Sequence, residues 1–271
     1  MSELLTHPAV QGGLAPFLAA LIIAELFQRM RMSGLCIIAG FTVAVYLIGG
    51  LAFDPLTASR KIVLAGLLAA LLALILQLYN PRWMRIFLAV VAGGVVLWVI
   101  SRILQQQEQS SMLVWGAGCA LYVAWLVFWM DGLRDAPVRA GSAGMALGFG
   151  TGAAALFGSS ALLGQFGLAL GAAAAAYLLI QMLTNTHLPC GRSFTLPLSL
   201  IAGLTACLAV LSAQLPWYAL PVLGAIPALA NISLFEKQAL WLQAVLLSVI
   251  PMACAAAAVY FTWRVAGAPP V

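Results

Sequence analysis

The sequence predicts an all-α polytopic integral membrane protein of about ten transmembrane helices, and three observations predict it. Of 271 residues, 64% are hydrophobic and 7% charged, against about 25% charged in an average soluble domain. So few charges cannot cover a water-facing surface, whereas in lipid no such cover is needed and a helix satisfies its own backbone groups. The apolar residues fall into ten runs, at roughly 10–28, 33–53, 62–79, 84–103, 111–130, 142–158, 160–183, 193–214, 216–235 and 239–263, near the ~20 residues that a crossing needs. Finally, the 52 residues from Ala140 to Gly191 hold no Asp, Glu, Lys or Arg. That is too long for one crossing, and Gly158-Ser159-Ser160 divides it.

The chain before the first run carries Glu3 and His7 but no Lys or Arg. It lacks the basic region of a cleaved signal peptide, so the first helix is expected to be retained. Glu25 stands four residues before Arg29, the spacing of an interfacial i,i+4 ion pair. Asp54-Pro55 closes the second run and Asn80-Pro81-Arg82 the third. The fourth contains Gly93-Gly94 and ends near Arg102, whose side chain is expected to snorkel to the headgroups. Asp131 to Arg139, after the fifth run, reads as a solvated linker.

In the sixth run Gly144, Gly148 and Gly152 recur every fourth residue, as do Gly167, Gly171 and Ala175 in the seventh. Each trio makes a smooth strip on one helix face, where another backbone can approach closely. The ninth run carries Pro216, Pro221, Gly224 and Pro227 before Asn231, and an interior proline removes a backbone hydrogen bond. Glu236-Lys237 precedes the tenth. Most tryptophans lie near run ends, as interfacial aromatics do.

Orientation follows from the basic residues. Odd-numbered connections hold Arg29, Arg31, Arg82, Arg85, Arg134, Arg139, Arg192 and Lys237; the other side holds Arg60, Lys61, Arg102 and Arg264. The positive-inside rule puts the first group in the cytoplasm and both termini outside, as expected in a bacterial inner membrane. The linker divides the chain into residues 1–130, a connection at 131–141 and residues 142–271. Segments 65–78 and 202–215, the third run of each half, match at eight of 14 positions, including Gly66/Gly203 and Gln77/Gln214. With five helices per half, the second copy enters the membrane inverted, a 5+5 inverted repeat.

The first hairpin, Leu26-Phe27-Gln28-Arg29-Met30-Arg31-Met32-Ser33-Gly34-Leu35 followed by Ile38-Ala39-Gly40, resembles the opening helix, basic turn and Gly-rich helix of cation/proton antiporters. The resemblance covers about 30 residues and implies a fold similar to the 5+5 arrangement. That family's ion-binding membrane aspartates have no counterpart here, which speaks against antiport itself.

Inverted-repeat transporters place their site where broken helices meet, here the fourth run of each half. The candidates for a solute path are therefore Pro221, Gly224, Pro227 and Asn231, with Gly93 and Gly94 as the weaker matching break. Gly144, Gly148, Gly152, Gly167 and Gly171 are read as helix-packing residues. No catalytic group is assigned. His187 and Cys190 lie three apart, but a structural zinc site needs four ligands and a nucleophile needs an orienting third group. No metal and no cofactor is expected. The five cysteines are dispersed and suggest no disulfide framework.

The function expected is a small secondary transporter or channel-like protein for a neutral or weakly charged solute. The alternative is a non-catalytic membrane subunit or scaffold, and the third reading a lipid-acting enzyme using Asp131 and Asp135. The expected partners are the lipid bilayer and either further copies of the chain or a membrane partner subunit. The net charge of +5, spread over short loops, gives no nucleic-acid patch.

Overall fold

A computed structural model describes residues 7–28, 32–51, 53–77, 81, 83–233 and 238–267, which form ten helical segments and no strand. They are α1 (Val10–Phe27), α2 (Ser33–Gly49), α3 (Ala58–Leu76), α4 (Met84–Leu104), α5 (Gln109–Asp131), α6 (Pro137–Phe157), α7 (Ala161–Thr184), α8 (Gly191–Ser212), α9 (Ala219–Ala230) and α10 (Leu240–Ala266). Eight are long and apolar enough to cross a membrane; α2 and α9 are shorter. Arg29, Arg31, Arg82, Glu236 and Lys237 lie outside the described residues.

Local chemistry sets the ends that hydropathy blurs. The second helix stops where Gly50 takes a positive φ of 71° and returns its N–H to Tyr46 O, the left-handed exit that glycine permits. The third starts ahead of its apolar run because Thr57 Oγ1 accepts from Arg60 N at 3.4 Å, an N-cap. Pro137 opens α6 in the first turn, where a missing N–H costs nothing. Asn185, at φ 50°, ends α7.

The tightest pairing is α6 with α7, joined by Gly158 to Ser160. A Cβ on Gly148 would stand 2.5 Å from Gly171 Cα, and one on Gly152 would stand 2.8 Å from Gly164 O. The two glycine strips therefore face each other, backbone against backbone. At Gly144 the neighbours are Leu198 and Ala174 rather than Ala175. Only side chains of zero size permit this approach, which replaces lipid contact with dense van der Waals contact.

The centre of the bundle is α8, which is buried along most of its length and packs against α2 to α7. Several of its hydroxyls are met locally, Ser199 Oγ donating to Thr195 O at 2.7 Å and Thr195 Oγ1 to Gly191 O at 3.4 Å, whereas the buried Thr205 hydroxyl has no partner among the described residues. Helices α1, α5 and α10 are the least buried of the long ones. Their exposed faces carry large apolar side chains such as Leu121, 71% exposed. Water would penalise such a belt, and lipid does not.

Hydrogen bonds between loops show the order of the rods. At one end Ser33 Oγ donates to Pro189 O (2.8 Å), Gln77 Nε2 to Ser193 Oγ (3.2 Å), Arg192 Nε to Asp131 Oδ1 (2.9 Å) and Arg139 Nη1 to Asn231 O (3.2 Å). At the other, Gln11 Nε2 donates to Leu47 O (3.0 Å), Lys61 Nζ to Trp98 O (2.9 Å) and Gln214 N to Gly158 O (2.9 Å). Each bond joins helix ends that strict up-and-down alternation brings to the same side. Consequently Arg85, Arg134, Arg139 and Arg192 share one end of the bundle, called here the arginine end, and Arg60, Lys61, Arg102 and Arg264 the other.

Candidate functional site

A cavity of about 860 Å³ forms a groove between α5 and α9, whose walls include Trp115, Cys119, Tyr122, Trp125, Trp217 and Leu229. It exists because α9 is short. Proline dictates that length: Pro216 precedes the helix, Pro221 sits in its first turn, and Pro227 inside it offers no N–H to Leu223 O. Twelve residues rise ~18 Å, while α5 runs 23 residues beside them. The volume lies within the ~300–1,000 Å³ of small-molecule sites.

The groove is apolar and opens sideways. Val114 (70% exposed) and Trp217 (62%) form its rim. Its few polar groups are mostly met within the wall. Trp125 Nε1 donates to Gly224 O at 3.0 Å, and Cys207 Sγ approaches Cys119 O at 3.8 Å. The Tyr122 hydroxyl is buried and has no hydrogen-bond partner among the described residues. Such a lining is chemically compatible with hydrocarbon or aromatic groups that make few hydrogen bonds.

Of the residues expected along a solute path, Pro221 and Gly224 line this groove. Pro227 is buried behind it, and Asn231 lies one turn beyond, where its Nδ2 donates to Pro227 O (2.7 Å) and Trp129 O (2.9 Å). Gly93 and Gly94 do not join them. The helix α4 continues unbroken through both; Gly93 packs toward Ala120 O of α5, and the space beside Gly94 is open. A paired glycine weakens a helix but leaves every N–H in place, whereas proline deletes one.

The linker is solvated at Gly132 and Asp135 but not at Asp131. Asp131 is 4% exposed, with Oδ1 on Arg192 Nε (2.9 Å) and Oδ2 on Arg134 Nη1 (3.2 Å). Arg192, itself 3% exposed, also donates to Leu76 O at 3.4 Å, so one guanidinium ties together the ends of α3, α5 and α8. Desolvation makes an isolated buried charge expensive, and here each charge is paired. The signal was present in the sequence: Asp131 ends an odd run, Arg192 begins an even one, and alternation puts both at one face. Glu25, expected to pair with Arg29, accepts from Gln28 Nε2 at 2.6 Å. Arg102 is exposed in the last turn of α4.

His187 and Cys190 separate. His187 is exposed and borders a second cavity of about 430 Å³ with Asp135, Arg139 and Gln243. Cys190 is 3% exposed, and burial pushes its thiol well above the ordinary range, the wrong direction for a nucleophile at neutral pH. Among the described residues no group of three His, Cys, Asp or Glu is placed to hold a metal ion, and all five cysteines are free. Set against known proteins, the chain matches no protein-family model, no curated protein and no solved structure.

Proposed function

We propose that the chain is a small secondary transporter or channel-like protein that moves a neutral or weakly charged, largely apolar solute along the groove between α5 and α9. The observation that carries this reading is the groove itself: about 860 Å³, apolar, laterally open, and bounded by a proline-shortened helix containing Pro221 and Gly224. Broken helices at a repeat interface are where transporters place their sites. On this reading the chain crosses a bacterial inner membrane ten times as two inverted halves, with the arginine end in the cytoplasm and both termini outside.

Packing supports the inverted halves. The pairs α1/α2 and α4/α5 recur as α6/α7 and α9/α10, and the helices that such a symmetry relates, α2 with α7 and α3 with α8, touch each other. The second half closes further, because α6 also packs on α10 with no comparable contact between α1 and α5. The subunit or scaffold reading rests on glycine strips that hold partner helices, and here the strips hold each other.

Purified protein in proteoliposomes provides the test, with a panel of neutral solutes and fluorescent lipid analogues. A Cβ on Gly224 would meet Trp125 and Tyr122 at 3.5 Å, ordinary contact. Gly224→Ala should therefore retain flux, while Gly224→Leu fills the groove and should reduce it about 10-fold or more. Gly94→Leu, facing open space, is the control. No flux above empty vesicles, or flux indifferent to Gly224→Leu, refutes the proposal.

A further inference from the structure

At the arginine end of the groove stand two donors that the fold does not use. Trp125, in the groove wall, meets Trp129 edge-on at 5.5 Å, one turn further along α5. Arg85, from the first turn of α4, lays its guanidinium 3.7 Å over Phe128 and 5.5 Å from the Trp129 ring. Its Nε donates to Phe128 O at 2.5 Å. Arg85 Nη2 and Trp129 Nε1 have no acceptor among the described residues, and buried donors are rarely left so. Arg85 as a whole is half-buried, which leaves it within reach of the membrane surface.

The local charge favours an anion. The carboxylate oxygens of Asp131 are engaged by Arg192 and Arg134, and Asp135 is met by Arg134. Arg85, Arg134 and Arg192 against Asp131 and Asp135 give a net +1 (three minus two). From Val114 to Trp125 the groove wall rises ~16 Å along the middle of α5, and it ends one turn short of Trp129, so a chain held at the arginine end can lie along it. The open rim lets a chain enter from the side.

We propose that the groove holds the hydrocarbon chain of a phosphate-headed membrane lipid, whose phosphate is bound by the Arg85 guanidinium with help from the Trp129 indole N–H. This deepens the transport reading and rests on it: the solute is a singly charged amphiphile, neutral along its tail. Arginine suits the role because its planar fork meets phosphate oxygens two at a time, and tryptophan belongs at the headgroup level.

Thermal stabilisation of the detergent-solubilised full chain measures binding, since a ligand of the folded state at free concentration L stabilises it by RT ln(1 + L/Kd) and so raises its melting temperature with concentration and affinity. The probes are dioleoylphosphatidylglycerol, dioleoylglycerol (the same chains without phosphate) and inorganic phosphate. The phospholipid should bind at least about 10-fold tighter than dioleoylglycerol, and phosphate alone should give no shift. Arg85→Gln should weaken phospholipid binding on the order of 10- to 100-fold. Trp129→Phe, which keeps the ring and removes the donor, should weaken it about 3- to 10-fold and stands in if the arginine variant does not fold. Neither change should alter dioleoylglycerol binding. Equal affinity for the two lipids, stabilisation by phosphate alone, or variants that bind phospholipid like the parent would overturn the assignment. If it falls while Gly224→Leu still blocks flux, the groove remains the path and only the headgroup site is lost; if both fail, the groove is not a site.

Discussion

Replacing Gly148 with alanine adds one methyl group at the narrowest point of the bundle. The new Cβ would stand 2.5 Å from Gly171 Cα and 2.9 Å from Leu170 C, and closer still to Gly171 N. Ordinary contact begins at 3.4 Å, so α6 and α7 must part by at least ~0.9 Å (3.4 minus 2.5). Backbone atoms cannot turn aside as a side chain would, so the separation extends to neighbouring contacts at Gly152, Gly164 and Gly167. A gap of 0.5–1 Å forfeits about a quarter to a half of each dispersion contact, and overpacking of this kind costs ~1–3 kcal/mol. The upper figure is expected, because the obstacle is backbone on both sides. Unfolding followed in mixed micelles should show a loss of about 3 kcal/mol. Two controls isolate the cause. At Gly144 the nearest atom is the flexible Leu198 Cδ1, at 2.7 Å, and at Gly94 nothing lies within 4 Å. Alanine should cost less than about 1.5 kcal/mol at the first and within ~0.5 kcal/mol of nothing at the second. If Gly148→Ala is as stable as Gly94→Ala, the two helices do not touch through their glycines.

Two further outcomes are expected. Asp131→Asn removes the carboxylate that meets the buried Arg192 and should cost ~3–5 kcal/mol, while Arg192→Gln leaves Asp131 with Arg134 and should cost less; the double variant should cost less than the sum of the two by ~0.5–3 kcal/mol, and strict additivity would break the pair. Reporter fusions at Met1 and Val271 should both report the side opposite the arginine end; a split result would mean an odd number of crossings and would end the inverted-halves proposal.

By itself the sequence determined the solvent. With 7% charge, no arrangement of this chain presents a water-compatible surface, and helix is then the only economical way to satisfy the backbone of its apolar runs. It also placed the turn at Gly158 to Ser160 and the proline-interrupted ninth run at 216–235, because glycine and proline act through local geometry that does not depend on neighbours; that the helix there spans only Ala219–Ala230 came from the structure. What it left open depends on which faces meet. That the strips of α6 and α7 meet each other, that Gly93 supports no break, and that Asp131 is buried against Arg192 rather than solvated are settled by helices distant in sequence. The groove likewise belongs to two helices: α9 supplies the missing turns, but Trp125, Tyr122 and Trp115 come from α5, nearly a hundred residues earlier. Periodicity shows which side of a helix is smooth or greasy; only the tertiary structure decides whether that side finds another helix, lipid or a cavity, because in a chain so uniformly apolar every face is acceptable to all three.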